Sequence, residues 1–231
     1  MSVKILAVGD VCGEPGLDYL EKNLRNYRKE NGIDFVVVNG ENANVVGVTP
    51  KQADALFAAG ADVITLGNHS FGKMQITDYL DDCPYILRPH NLGARVPGRG
   101  YGVFDCGRAR IAVMNLIGRC DLAFHADNPF KTADELLKND EKPTFTLLDF
   151  HAEATSEKLA MAYYLDGRVS AIWGTHTHVP TADEEVFPKG TGYLTDLGMT
   201  GAVRSVLGIK TEQSVETSLG GLPGRYREPE K

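Results

Sequence analysis

No stretch of this 231-residue chain approaches the roughly 18 consecutive apolar residues of a membrane-spanning helix. The apolar opening, Val3 to Val8, is too short for a secretory signal core and runs directly into Gly9-Asp10. Cysteine is scarce: Cys12, Cys83, Cys106 and Cys120 include no Cys-x-x-Cys pair and form no dense framework. Such usage suits reduced, mostly buried thiols, so a cytoplasmic location is expected, with no membrane partner. Positive charge is in deficit, 24 Lys+Arg against 31 Asp+Glu for a net −7, which argues against a stable nucleic-acid partner. Internal repeats, low-complexity linkers and breaks in composition are also missing, so residues 1–231 read as a single domain.

The residues present describe an ordinary globular chain. Hydrophobic residues make up 42% and charged residues 24%, which excludes disordered and fibrous classes. The length suffices to bury a core without disulfides or structural metal. Val3–Val8 reads as a strand. Pro15 opens a helical stretch through Leu17, Leu20, Leu24 and Tyr27, closed by Gly32. Phe35–Val38 is a second strand, Thr49-Pro50 starts a helix that runs to Gly60, and Val63–Leu66 is a third strand. This alternation implies an α/β fold with a parallel sheet and helices on both faces. Further strands are expected at Tyr101–Phe104, Arg110–Leu116, Phe145–Leu148 and Val169–Trp173, with a helix over about Ser156–Leu165. Glu185–Phe187 and Gly192–Thr195 are expected to form a hairpin.

The informative pattern lies at the carboxyl ends of five of these strands. They end in Gly9-Asp10, in Asn39-Gly40-Glu41-Asn42, in Gly67-Asn68-His69, in Asp149-Phe150-His151 and in Gly174-Thr175-His176-Thr177-His178. Ligands of open α/β sheets bind beyond the carboxyl ends of the strands. Taken singly, each group has a plain alternative. Asp10 suits a turn or helix cap, Asn42 and Asn68 suit left-handed turns, and His151 suits a hydrogen-bonded structural histidine. Together they place carboxylates, amides and imidazoles at one edge, with glycine allowing close backbone approach in four of the five.

Oxygen and imidazole donors without thiolate suit iron, manganese or zinc. Glu41 can bridge two ions while Asp10 and the histidines terminate each side. Two cations about 3.5–4 Å apart clamp the attacking and leaving oxygens of a phosphoryl ester and generate hydroxide near neutral pH. They also reverse the local sign of an acidic protein, so an anionic substrate is not repelled.

These motifs resemble the calcineurin-like metallophosphoesterase superfamily and, within it, the YmdB-like bacterial cyclic-nucleotide phosphodiesterases. The narrower likeness is carried by Gly9-Asp10-Val11, Asn39 to Ala43, Asp149 to Lys158, Gly174 to Asp183 and Tyr193 to Gly201, and covers nearly the whole chain. The resemblance implies a layered α/β sandwich, two packed sheets with flanking helices, in place of a simple doubly wound sheet. It implies one metal held by Asp10, Glu41, Asn42 and His178, and a second held by Glu41, Asn68, His151 and His176. Iron is named first, then manganese, with zinc compatible. His69 would protonate the leaving oxygen after attack by a metal-bound hydroxide; its other reading is a residue that only orients Asn68. The implied substrate is a small cyclic nucleotide, 2′,3′- or 3′,5′-linked, and the protein would be a phosphoric diester hydrolase, with homo-oligomers possible. The alternatives are a phosphomonoesterase or protein phosphatase with the same centre, or a metal-containing regulatory protein with vestigial activity.

The chain departs from the wider superfamily in two motifs. Asp10 is followed by Val11 and Cys12 where the wider pattern is Asp-x-His, and Glu41 stands where aspartate is usual. Both changes agree with the narrower family, in which Asn42 supplies the missing ligand; Cys12 is then a ligand or a small buried thiol. Members of that family tend to continue beyond the segment matching Gly220–Pro223, whereas this chain ends in Arg225–Lys231. That leaves one sheet edge, and any assembly built on it, open.

Overall fold

The computed structural model describes residues 2–122, 125–138, 141–222 and 224–229, so Pro223, Glu230 and Lys231 of the C-terminal segments lie outside the described residues. The N-terminal third alternates strand and helix as its apolar pattern predicts: β1 (Ile5–Val8), β2 (Asp10–Val11), α1 (Gly13–Asn31), β3 (Phe35–Asn39), α2 (Pro50–Ala59), β4 (Val63–Thr65), α3 (Ile76–Asp82) and β5 (Ile86–Leu87). Strands β1, β3, β4 and β5 form a parallel sheet in that order. The start of α2 is set locally. Thr49 accepts from the Gln52 backbone N–H, and the Gln52 side chain accepts from the Thr49 N–H at 3.1 Å. That is a capping box, with Pro50 placed where no amide hydrogen is needed.

The remainder contributes β6 (Tyr101–Asp105), β7 (Arg110–Ile117), α4 (Pro129–Leu136), β8 (Phe145–His151), α5 (Thr155–Leu165), β9 (Ala171–Thr175), β10 (Glu185–Val186), β11 (Gly192–Leu194), β12 (Met199–Thr200) and α6 (Thr211–Ser218). A six-stranded mixed sheet runs β10-β11-β9-β8-β7-β6, and its β10–β11 pair is the expected hairpin. A third, two-stranded ribbon pairs β12 with β2 and so lays Met199 beside Asp10.

Period-2 alternation explains the layering. On β3, Phe35 and Val37 face the second sheet, where they meet Ile111, Val113, Leu147 and Trp173, while Val36 and Val38 face Leu17, Leu20, Leu24 and Leu56 of the helices. On the second sheet, Met114, Leu116, Leu148 and Phe150 turn outward onto Met161, Ala162 and Leu165 of α5 and Ala133 of α4. The result is helix, sheet, sheet, helix. The single doubly wound sheet expected from the strand order is corrected to this sandwich: each sheet is apolar on both faces, and a second sheet covers the face that helices do not.

One strand end also differs from expectation. Asp149 and His151 belong to β8 itself rather than to a loop after it. They share the face of Phe145 and Leu147, so they point between the sheets. The inter-sheet layer is thus apolar through most of its length and polar at the carboxyl end of the strands, where Asn39, Thr65, Asp149, His151 and Thr175 are all fully or almost fully buried.

Candidate metal centre

At that polar end the two sheets are joined by hydrogen bonds through Asp149. Its Oδ2 accepts from the Thr65 hydroxyl of the first sheet and from Asn39 Nδ2 at 3.2 Å, and its Oδ1 accepts from the Thr175 hydroxyl at 2.7 Å. Burial raises the Asp149 pKa against the opposing effect of these donors. Thr175 has given its only proton to Asp149, so its oxygen accepts from His151 Nδ1 at 2.9 Å. Neutral His151 thereby keeps its proton on Nδ1 and presents a lone pair at Nε2, the form in which it would ligate a cation.

The same logic holds for the other two histidines. His178 Nδ1 lies 3.0 Å from the Leu207 carbonyl, which can only accept, so the His178 Nε2 lone pair faces inward. His176 Nε2 lies 3.1 Å from the Glu153 carboxylate, which leaves the Nδ1 lone pair facing His151 Nε2 at 3.1 Å. Three imidazoles are therefore each anchored by one nitrogen and free at the other. Such anchoring of the distal nitrogen typifies metal-binding histidines.

The free nitrogens meet acceptor atoms. His151 Nε2 lies 3.2 Å from Glu41 Oε1 and 2.9 Å from Asn68 Oδ1. His178 Nε2 lies 3.9 Å from Asp10 Oδ1, a buried oxygen without a hydrogen-bond partner. Ligand atoms of Glu41, His151 and His176 all fall within 4.8 Å of one another. Gly67 keeps this space open, since a Cβ there would collide with His151 Nε2 and Glu41 Oε2. A convergence of lone pairs and carboxylate oxygens around a cradle, with an orphaned aspartate oxygen beside it, fits a cation.

The electrostatics carry the same demand. Burial alone would depress His151, yet the charge and hydrogen bond of Glu41, followed by Asp10, raise it to about 9. Burial raises Asp10 to about 6 against the pull of His151 and His178. Burial also works against ionised Glu41, but its charge interaction and hydrogen bond with His151 hold its pKa low. Without a cation, the two buried carboxylates draw positive charge onto an imidazole. Burial, and then His151, lower His176 to about 4, the neutral form that can ligate.

Each predicted site residue reaches this region, though not all in ligating posture. Asn42 offers Nδ2 to Glu41 Oε1 at 3.2 Å and to His178 Nε2 at 3.0 Å, so ligation through Oδ1 requires its amide to turn over. Asn68 already turns Oδ1 inward and directs Nδ2 to His69 Nε2 at 3.2 Å. The His69 backbone N–H donates to Glu41 Oε2 at 3.1 Å, and its ring lines a cavity of about 390 Å³ shared with Glu153, Val45 and Tyr226. Cys12 is a buried thiol with Sγ 3.5 Å from His178 Nδ1, and burial pushes its pKa up, away from thiolate. Residues 90 and 125 are not among the cavity-lining residues. Asp149 and Thr175 sit in the strand-end motifs and Glu153 in the family segment, yet the sequence does not mark any of them, or the Leu207 carbonyl, as a support for the ligands. Asp149 carries a signal that could have found it: a carboxylate two residues before His151 in an otherwise apolar strand shares its face.

A model of the YmdB-like protein family matches residues 6–231. The chain belongs to the YmdB-like family. It is 44% identical over 226 residues to the 2′,3′-cyclic-nucleotide 2′-phosphodiesterase of Bacillus subtilis, covering 97% of this chain and 85% of that protein. Among solved structures, a hypothetical protein from Thermus thermophilus superposes with a TM-score of 0.92 at 39% identity, over 98% of this chain and 88% of that one. A structure described as a novel phosphatase from Mycoplasma pneumoniae gives 0.91 at 36% identity, over 100% and 84%. The family and the layered fold expected from the motifs both stand.

Proposed function

We propose that this YmdB-like chain, a phosphoesterase of the metallophosphoesterase type, hydrolyses small cyclic nucleotides at a centre of two metal ions. The observation that carries the reading is the set of three imidazoles, each pinned at one nitrogen, with the free nitrogens of His151 and His178 turned toward Glu41, Asn68 and Asp10 and that of His176 turned toward His151. The name of the Bacillus subtilis relative favours the 2′,3′-cyclic substrate over the 3′,5′-cyclic one. Asp10, Glu41, Asn42 and His178 would hold one ion, and Glu41, Asn68, His151 and His176 the other. Iron is the first candidate, then manganese or zinc, since such mixed N/O sites accept several metals. When bound, the cations would act as Lewis acids on the phosphoryl oxygens and neutralise the charge that develops there.

The chain's own residues do the rest. Glu41 would contribute to both ions, and it is oriented by Asn39, whose Oδ1 accepts from the Glu41 backbone N–H at 3.2 Å. His69, whose Nε2 lies 3.2 Å from Asn68 Nδ2, would protonate the departing alkoxide in its imidazolium form and be left as the neutral imidazole. Residues 1–231 act as one catalytic domain, since both sheets contribute to the site. The four cysteines are all free, in keeping with a reducing cytoplasm, and self-association of the chain belongs to the same reading. No helix among the described residues is long and apolar enough to cross a membrane.

Element analysis of protein made with iron and manganese supplied, paired with assays on 2′,3′-cyclic AMP, 3′,5′-cyclic AMP and a monoester, tests the proposal. Metal-loaded protein should turn over a cyclic diester faster than the monoester, and protein that takes up no metal and cleaves neither diester overturns it. His69→Ala should lower turnover with metal content intact; loss of metal in that variant would reassign His69.

A further inference from the structure

Beneath the two-histidine loop lies a charge pair that the site itself does not use. Lys158, on α5, is 1% exposed, and its stem passes Gly174 of β9, where a Cβ would meet Lys158 Cδ and Cε at 2.8 Å. Its ammonium donates to Asp196 Oδ2 at 2.7 Å, and Asp196 is equally buried. The same oxygen accepts from the Thr177 hydroxyl at 2.8 Å and from the Thr177 backbone N–H at 3.3 Å. Asp196 Oδ1 accepts from the Gly198 N–H at 2.8 Å, and the Gly198 carbonyl abuts Gly9, leaving that position no room for a Cβ. One buried carboxylate thus grips the loop bearing His176 and His178 together with the turn packed beside Asp10.

The loop needs a grip. His176 and His178 have φ of 103° and 64°, the left-handed region that residues with a Cβ seldom adopt. Taking a lysine and an aspartate out of water is costly, and apolar residues of similar volume commonly serve stability as well or better. A role for the pair is therefore sought in what it orients.

We infer that Lys158 and Asp196 are positioning residues, which hold Thr177 so that the imidazoles on either side of it face the metal centre. The inference rests on the reading of His176 and His178 as ligands. Lys158 holds the Asp196 carboxylate in place in the interior, Asp196 Oδ2 accepts both the hydroxyl and the amide of Thr177, and the strained loop is held in its ligating form.

Metal-free protein titrated with Mn²⁺ alone, with free ion read by electron paramagnetic resonance, tests this without reference to activity. Thr177→Val removes the hydroxyl while leaving the ion pair intact and should weaken Mn²⁺ binding about tenfold or more. Thr177→Ser should restore binding to the wild-type value. Lys158→Met should weaken binding at least as much; should it fail to fold, the Thr177 pair decides alone. Thermal unfolding of the metal-free Thr177 variants should match wild type, which separates positioning from general destabilisation. Wild-type affinity in Thr177→Val, or a loss that Thr177→Ser does not restore, overturns the inference. A wild-type protein that binds no Mn²⁺ overturns it too, by removing the ligand reading on which it stands.

Discussion

Thr175 shows how far a single hydroxyl can decide chemistry at a distance. By donating to Asp149 it must accept from His151, and so it selects which imidazole nitrogen faces the centre. Gly67 acts by what it omits. Gly67→Ala would place a methyl between His151 Nε2 and Glu41 Oε2, so the variant should fold yet take up little metal, as element analysis of folded protein would show. A different residue governs acid sensitivity away from the site. Burial, and then the charge of Arg88, lower the pKa of His90 below its ordinary 6.5 despite the opposing pull of Glu135. The unfolded chain then binds a proton that the folded one refuses, so stability is fully present above about pH 6.5 and declines as pH falls below it. In metal-free protein, urea midpoints of His90→Gln should fall less steeply than wild type from pH 7 to 5; parallel lines would refute the assignment.

Among the elements, those with local signals are readable from sequence. The capping box at Thr49-Pro50 and the stop at Gly60 mark α2 without any knowledge of the fold, and Thr49→Ala should cost about 1 kcal/mol in denaturant unfolding while leaving Mn²⁺ affinity unchanged. Phe35–Val38 is readable as a strand because it is apolar on both faces. In contrast, β5, β2 and β12 are two residues long and exist only through partners distant in the chain, so no local pattern announces them. The carboxyl half of β8 misleads for a related reason. Asp149 and His151 interrupt an apolar run, which suggests an exit to solvent, whereas Asn39 and Thr65 on the facing sheet receive the polar groups in the interior. The candidate ligands are legible as types and spacings; the groups that aim them are not, because Asp149, Glu153 and Leu207 act through contacts between segments up to 110 residues apart.

At the scale of the whole molecule, the centre ties the sheets together where their apolar interface ends. Metal should therefore stabilise the fold by mass action: an ion at 100 times its Kd adds about 2.7 kcal/mol, and the Tm should fall on chelation and climb again with added Mn²⁺. A Tm indifferent to Mn²⁺ in a range that saturates binding would contradict this. The ribbon of β2 and β12 has a further consequence, for biosynthesis. It lays Met199 and Thr200 against Asp10 and Val11, so the first proposed ligand on the chain is braced by a segment translated long after it. A nascent chain that has reached β8 already carries Asp10, Glu41, Asn42, Asn68 and His151, yet it lacks both the imidazoles and the brace that complete the cage. If these residues are the ligands as proposed, the complete cage would form only after about residue 200 has been made, and ion capture would follow late in synthesis.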